Sequence, residues 1–311
     1  RKMKNIEITI GITSFNRFYY LSSLLDSLAL CLPNDITCKI VVADNSSVES
    51  SLVNLKNDPT EYVKKFKHHK LQFVNCEPKH WLEAEYVARN AVLENAEGKY
   101  LLFLQDDIQG LVEGLFFEDL KNIVDNHNCS QLLLNGVRRQ TVRRKMKNPI
   151  RHKGKEVDFW ETSHRHFPTM GFCSMEIYDK VGLFMIDASK GWGQGENNYS
   201  NRVNKQFPEK SIFFLQVPCF STIWNDPRGH YSFIRDGKRR GYYIKAHSED
   251  NLYYEILTKE KIKDLNSKDS PSSFSDISFP IGWDYAKEPN GEQMKYSQAN
   301  IITEGPSEDI H

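Results

Sequence analysis

In residues 98–107, GKYLLFLQDD, an apolar run from Tyr100 to Leu104 ends abruptly in two adjacent carboxylates, Asp106 and Asp107. With Gly98 before it and Gly110 after it, the run reads as a short strand buried on both faces of a sheet. Ionised carboxylates at the end of a core strand need a partner, and a divalent cation with a phosphorylated ligand suits them best. Ligands of open α/β sheets bind at the carboxyl ends of the strands, which makes this end a candidate site.

The flanking sequence repeats the pattern. Residues 6–12 (IEITIGI) predict a first strand, 20–31 a helix with apolar spacing at Leu21, Leu24, Leu25 and Leu28, and 39–43 (KIVVA) a second core strand. A polar helix is expected over 48–65, a third strand over 71–75 and a helix over 81–96. Strands alternating with helices in this way give an α/β fold, with a mostly parallel central sheet flanked by helices. Beyond Asp107 the pattern loosens: helices are expected over 111–126, 175–181 and 197–206, and strands over 131–137 and 212–217. From about Lys259 the composition turns polar, and 259–311 reads as a linker and C-terminal tail after a domain spanning 1–258.

Bulk composition narrows the class. The 311 residues carry 41 basic and 41 acidic side chains, so no global field points to nucleic acid or a membrane. No stretch approaches the roughly 20 apolar residues of a membrane span. The opening RKMKNIEITIGI passes from charges straight into a strand, so no secretory leader is expected. The six cysteines form no C-x-x-C pair and read as free, buried or half-buried thiols in a reducing compartment.

Three strand ends define the candidate site. The first strand runs into Thr13, Ser14, Phe15, Asn16 and Arg17, the second into Asp44, Asn45 and Ser46, and the fourth into Gln105, Asp106 and Asp107. A parallel sheet brings all three to one edge. There Asp44 and the small hydroxyls can hydrogen-bond a base or ribose, Asn16 and Arg17 can reach phosphate, and Asp107 can hold a divalent ion.

The strings ITIGITSFNR, IVVADNSS, the RN within YVARNAVLENAEGKYLLFLQDD, and GWGQGENNYSNR together resemble the family 2 glycosyltransferases of GT-A fold. The resemblance implies a GT-A, Rossmann-like domain with residues 1–110 as its nucleotide-binding half and 111–258 as its acceptor-binding half. It also implies metal-dependent, inverting transfer of a sugar from a nucleoside diphosphate donor, UDP by preference, with Mn²⁺ or Mg²⁺ as cofactor. The first loop, Asp44, Arg89 and Asn90 then fall to the nucleotide, and Asp107 to the metal. Gln105 replaces the usual first acid of the D-x-D triplet. Setting Arg202 on the family's helix-ending Arg makes Glu196 the general base, with Gly195 where a second acid usually stands. Trp192 and Gly193 are expected to form a flap over the sugar ring, and His230 a further metal ligand, with His247, His164 and His166 as weaker alternatives.

The basic run 138–155 is a solvated loop or a landing site for an acidic glycan, a lipid-linked diphosphate or an anionic membrane face. Nucleic acid is not expected, because the run lacks interleaved aromatics. By analogy the acceptor is a glycan or lipid-linked oligosaccharide of bacterial surface polysaccharide synthesis, handled in the cytoplasm, with peripheral association at the inner membrane face. The non-enzymatic rival is a degenerate GT-A chain acting as a glycan-binding or assembly subunit. A nucleotidylyltransferase would want a Gly-rich loop after the first strand, and a dehydrogenase a G-x-G-x-x-G. TSFNR is neither.

Overall fold

The first strand, β1 (Ile8–Ser14), lies between β2 (Cys38–Asp44) and β4 (Tyr100–Gln105), parallel to both, and β3 (Lys70–Asn75) extends the group beyond β2. In this computed structural model the described residues are 5–15, 17–47, 50–77, 84–134, 149–163, 165, 170–185, 194–222, 232–235, 238–244, 252–272 and 299–302. Every residue of β1 and β2 is buried, as continuous β-branched and apolar runs require when a sheet is covered on both sides.

Five more strands complete a nine-stranded sheet: β6 (Cys129–Leu133), β7 (Ile150–His152), β8 (Phe159–Glu161), β9 (Gly171–Ser174) and β10 (Ser211–Leu215). The order is β3-β2-β1-β4-β9-β6-β10-β8-β7. Only β9 and β8 run against the rest, so the sheet is mostly parallel, as expected. A separate ribbon pairs β5 (Ile108–Gly110) with β11 (Phe220–Thr222). Strands β12 (Ser232–Arg235), β13 (Lys238–Ile244) and β14 (Ala299–Ile302) form a small antiparallel sheet of their own.

Helices cover both faces. On one, Leu21, Leu24, Leu25 and Leu28 of α1 (Phe18–Cys31) and Leu120 and Ile123 of α5 (Phe117–Asn126) pack on Ile8, Ile10, Ile12, Leu102 and Leu104. On the other, α4 (Ala84–Glu94), α6 (Met175–Val181) and α7 (Gln194–Gln206) pack Val92, Ile177 and Tyr199 with Val41, Leu101 and Phe103. Alternate residues of β4 thus serve opposite cores, the period-2 rule of a strand. Helix α4 approaches β1 closely because Gly11 has no side chain: a β-carbon there would lie 2.2 Å from Val92 Cγ1.

Some expectations needed adjustment. The polar helix over 48–65 is two helices, α2 (Ser50–Asn57) and α3 (Thr60–Lys65), because Pro59 supplies no amide hydrogen and stands at the start of the second. The helix over 111–126 starts only at Phe117; the chain first turns through Gly114, Leu115 and Phe116, all at positive φ. All six cysteines are free and buried, and burial pushes the Cys31, Cys38 and Cys173 thiols up to about 12.

Much of 252–272 is also integral to the domain. Buried Gln109 donates to Tyr254 O at 2.8 Å and accepts from the Tyr253 and Tyr254 amides at 2.6 and 2.9 Å. Gln216 donates to Leu265 O at 2.7 Å and Ser270 O at 2.9 Å, and Arg151 donates to Lys268 O at 2.6 Å. Leu265 of α8 (Lys259–Ser267) is fully buried. Among the described residues no helix is long and apolar enough to cross a membrane.

Candidate active site

The register of the sheet brings the three polar strand ends together. Ser14 stands opposite Asp44, Thr13 opposite Gln105, and Asp44 opposite Asn75. Backbone bonds carry the pairing into the loops: Asn45 N–H donates to Ser14 O at 3.0 Å, Asp106 N–H to Thr13 O at 3.2 Å, and Cys76 N–H to Asp44 O at 2.7 Å.

Arg17 closes the first loop over the acidic pair. Its Nη1 donates to Asp106 Oδ1 and Asp107 Oδ2, each at 3.1 Å, and Phe15 N–H donates to Asp106 Oδ2 at 3.3 Å. Both aspartates are buried. Burial pushes Asp107 up to about 7, with Arg17 opposing and Asp106 reinforcing the shift; burial raises Asp106 too, against the pull of Arg17. Asp107 Oδ1 is buried with no hydrogen-bond partner among the described residues. Two desolvated carboxylates thus share one guanidinium, and one of their oxygens is orphaned. Hard oxygen donors of this kind fit a divalent cation that completes its shell with water and phosphate. No group of three candidate ligands gathers among the described residues, and His230, His247, His164 and His166 lie outside them.

Asp44 is fully buried and its carboxylate is already engaged. Oδ2 accepts from Ser47 N–H at 3.0 Å and from Lys56 Nζ, and Oδ1 from the Ser47 hydroxyl. Lys56, on α2, also donates to Asn75 Oδ1 at 3.2 Å. Ser46 adopts a left-handed φ of 56°, and Asn45 Oδ1 is buried without a hydrogen-bond partner among the described residues. Sequence reasoning missed Lys56, whose position in a polar helix carries no signal until the fold sets it beside the second strand end.

Helix α4 forms the other wall. Asn90 spends its amide on one backbone unit: Nδ2 donates to Phe184 O at 2.9 Å and Oδ1 accepts from Phe184 N–H at 2.8 Å. Arg202 on α7 holds the same stretch, donating to Val181 O at 2.8 Å and Leu183 O at 2.7 Å, and Tyr199 donates to Gly182 O at 3.1 Å. Arg89 is buried against Tyr86, Phe103 and Phe184 and pairs with Glu85. Glu196 lies half-buried in the first turn of α7, next to Gly195, against which Tyr86 packs. Trp192, Gly193 and Asn16 lie outside the described residues.

No protein-family model matches the chain, and no curated protein matches it in sequence. Solved structures do. Residues 1–349 of TarS from S. aureus in complex with UDP match with a TM-score of 0.50 at 17% identity, over 70% of this chain and 60% of that one. The mannosyltransferase PcManGT from Pyrobaculum calidifontis, in complex with GDP-Man and Mn²⁺, matches with a TM-score of 0.51 at 14% identity, over 73% and 59%. The chain therefore spans about three-fifths of the length of these neighbours. At such identities the likeness speaks for architecture alone: the chain has the GT-A fold.

Proposed function

We propose that this protein is a glycosyltransferase that moves a sugar from a nucleoside diphosphate donor to an acceptor hydroxyl, with inversion at the anomeric carbon. The observation that carries this reading is the buried Asp106–Asp107 pair, with its orphaned Asp107 oxygen, at the rim where β1, β2 and β4 end. UDP is the expected nucleotide; the two structural neighbours are solved with UDP and with GDP-Man and Mn²⁺.

Each residue has a chemical task in this scheme. Asn45, Asn75 and Lys56 offer hydrogen bonds to the base beside the enclosed Asp44. Arg17 follows the first loop and sets its guanidinium beside the acidic pair, where a cation of this kind can meet phosphate. Asp107, with Asp106 beside it, would hold a divalent ion, which when bound offsets the charge developing on the leaving diphosphate. Glu196 accepts the proton of the acceptor hydroxyl as that oxygen attacks the sugar from the side opposite the diphosphate. By the sequence resemblance, Trp192 and Gly193 would cover the sugar and His230 would add a ligand to the ion. The acceptor is a glycan or lipid-linked chain of surface polysaccharide synthesis, met in the cytoplasm at the inner membrane face.

A second reading, glycan binding without turnover, draws on Gln105 and Gly195 at positions usually acidic. Incubating the purified protein with UDP-, GDP-, TDP- and CMP-sugars and Mn²⁺ separates the two. Release of free nucleotide from one donor supports transfer. Glycan binding with every donor left intact rejects it.

A further inference from the structure

We infer that Glu85 is the carboxylate that reads a hydroxyl of the transferred sugar, standing in for the acid that Gln105 displaces; this rests on the donor reading above. Gln105 Nε2 donates to Glu85 Oε1 at 3.3 Å, and Arg89 Nη2 donates to the same oxygen. The loss of an acid at the end of β4 is thus accompanied by a carboxylate from the first turn of α4, held against that same position.

Topology explains why α4 can supply it. A helix that follows a parallel strand begins at that strand's carboxyl edge, and α4 follows β3. The same turn reaches the other side of the site, because Tyr86 packs on Gly195, the residue next to Glu196. Glu85 therefore lies on the turn linking the end of β4, beside the acidic pair, to the start of α7, which carries the proposed base. A sugar that leaves a diphosphate for an acceptor at Glu196 must occupy the space between them.

An ordinary surface Glu–Arg pair four residues apart on a helix does not account for this arrangement. The Arg89 side chain is only 3% exposed, whereas that of Glu85 is 31% exposed, and the third partner comes from a separate strand. Arg89 Nη1 is buried with no hydrogen-bond partner among the described residues. The buried guanidinium fixes the position of the Glu85 carboxylate, and a carboxylate is a strong acceptor for sugar O–H donors.

The test is a comparison of ligands with and without the sugar. Glu85→Gln should weaken binding of the UDP- or GDP-sugar that the unaltered protein prefers on the order of tenfold, and leave UDP or GDP alone unchanged. Gln105→Met, which keeps the Glu85–Arg89 pair, should shift the same ratio less and serves if the first variant unfolds on heating earlier than the unaltered protein. An equal loss for nucleotide and nucleotide-sugar assigns Glu85 to the ribose or to structure and overturns the proposal, as does no loss in either variant. If the unaltered protein binds no nucleotide at all, the donor reading itself falls and this assignment with it.

Discussion

Tyr86 stands face-on to Gly195: a β-carbon at position 195 would come within 2.4 Å of Tyr86 Cζ and 2.7 Å of both adjacent ring carbons. The missing acid at this position is therefore a consequence of packing. The family it resembles carries a carboxylate there, but in this chain an aromatic ring from α4 fills the space, and only glycine lets the first turn of α7 settle against it.

Gly195→Asp should accordingly fail to restore the acidic pair. Forcing a side chain against the ring should lower stability by about 1–3 kcal/mol, the usual cost of overpacking. Combining it with Tyr86→Ala should cost less than the two single changes together, because the clash is removed. Thermal unfolding of the four proteins checks this, and an unchanged midpoint for Gly195→Asp would refute the contact.

The first 110 residues were legible because each strand is a short apolar run and each connection is polar, so period and punctuation agree. Asp44, Asp106 and Asp107 followed from being the first charges after those runs. Less could be read beyond Asp107. Strands β5, β7, β8, β9 and β11 are three or four residues long, too short for a periodic signal, and all but β7 take a partner from distant sequence. Lys56, Glu85 and Tyr86 gave no local sign of a role, since their significance lies in what the fold sets opposite them.

Asp107→Asn removes the charge and keeps the shape. If the orphaned oxygen is a cation ligand, Mn²⁺-dependent UDP binding should disappear, while any metal-independent binding remains. Calorimetric titration with and without Mn²⁺ reads the difference. Equal affinity in the variant and the unaltered protein would move the metal elsewhere.

His69 supplies a pH test of the scaffold. Burial lowers its pKa to about 4, with His68 adding to the shift, and its Nδ1 accepts from Cys38 N–H at 3.3 Å. A folded value below the unfolded value of roughly 6.5 means its contribution is present above pH 6.5. That contribution is lost as pH falls toward 4, where protonation removes the acceptor. His69→Asn can keep an acceptor that does not titrate, so the fall in unfolding midpoint between pH 6.5 and 4 should become shallower. A curve of the same steepness would exclude His69 as its source.

Leu265 tests whether α8 belongs to the domain. Its side chain is fully buried beside the bonds that Gln216 makes to the same segment. Leu265→Ala should cost about 2–5 kcal/mol, as for other large-to-small core changes. An exposed tail would lose almost nothing, so a denaturation midpoint within error of the unaltered protein would return the segment to linker status.

Glu196 carries the most consequential of the proposed roles. It sits half-buried at the start of α7, the helix that Arg202 ties to Val181 and Leu183, while Asn90 of α4 holds the neighbouring Phe184. A base needs such fixed placement, because proton transfer depends on reaching one acceptor oxygen as it attacks. Glu196→Gln preserves volume and hydrogen bonding but cannot take up the proton. Turnover with the active donor should fall roughly 10²-fold or more, whereas donor affinity persists, since the amide still fills the same space. Single-turnover measurement at saturating donor isolates that step from product release. A variant that transfers sugar at the unaltered rate would place the base on another residue, with Glu85 the next carboxylate to remove.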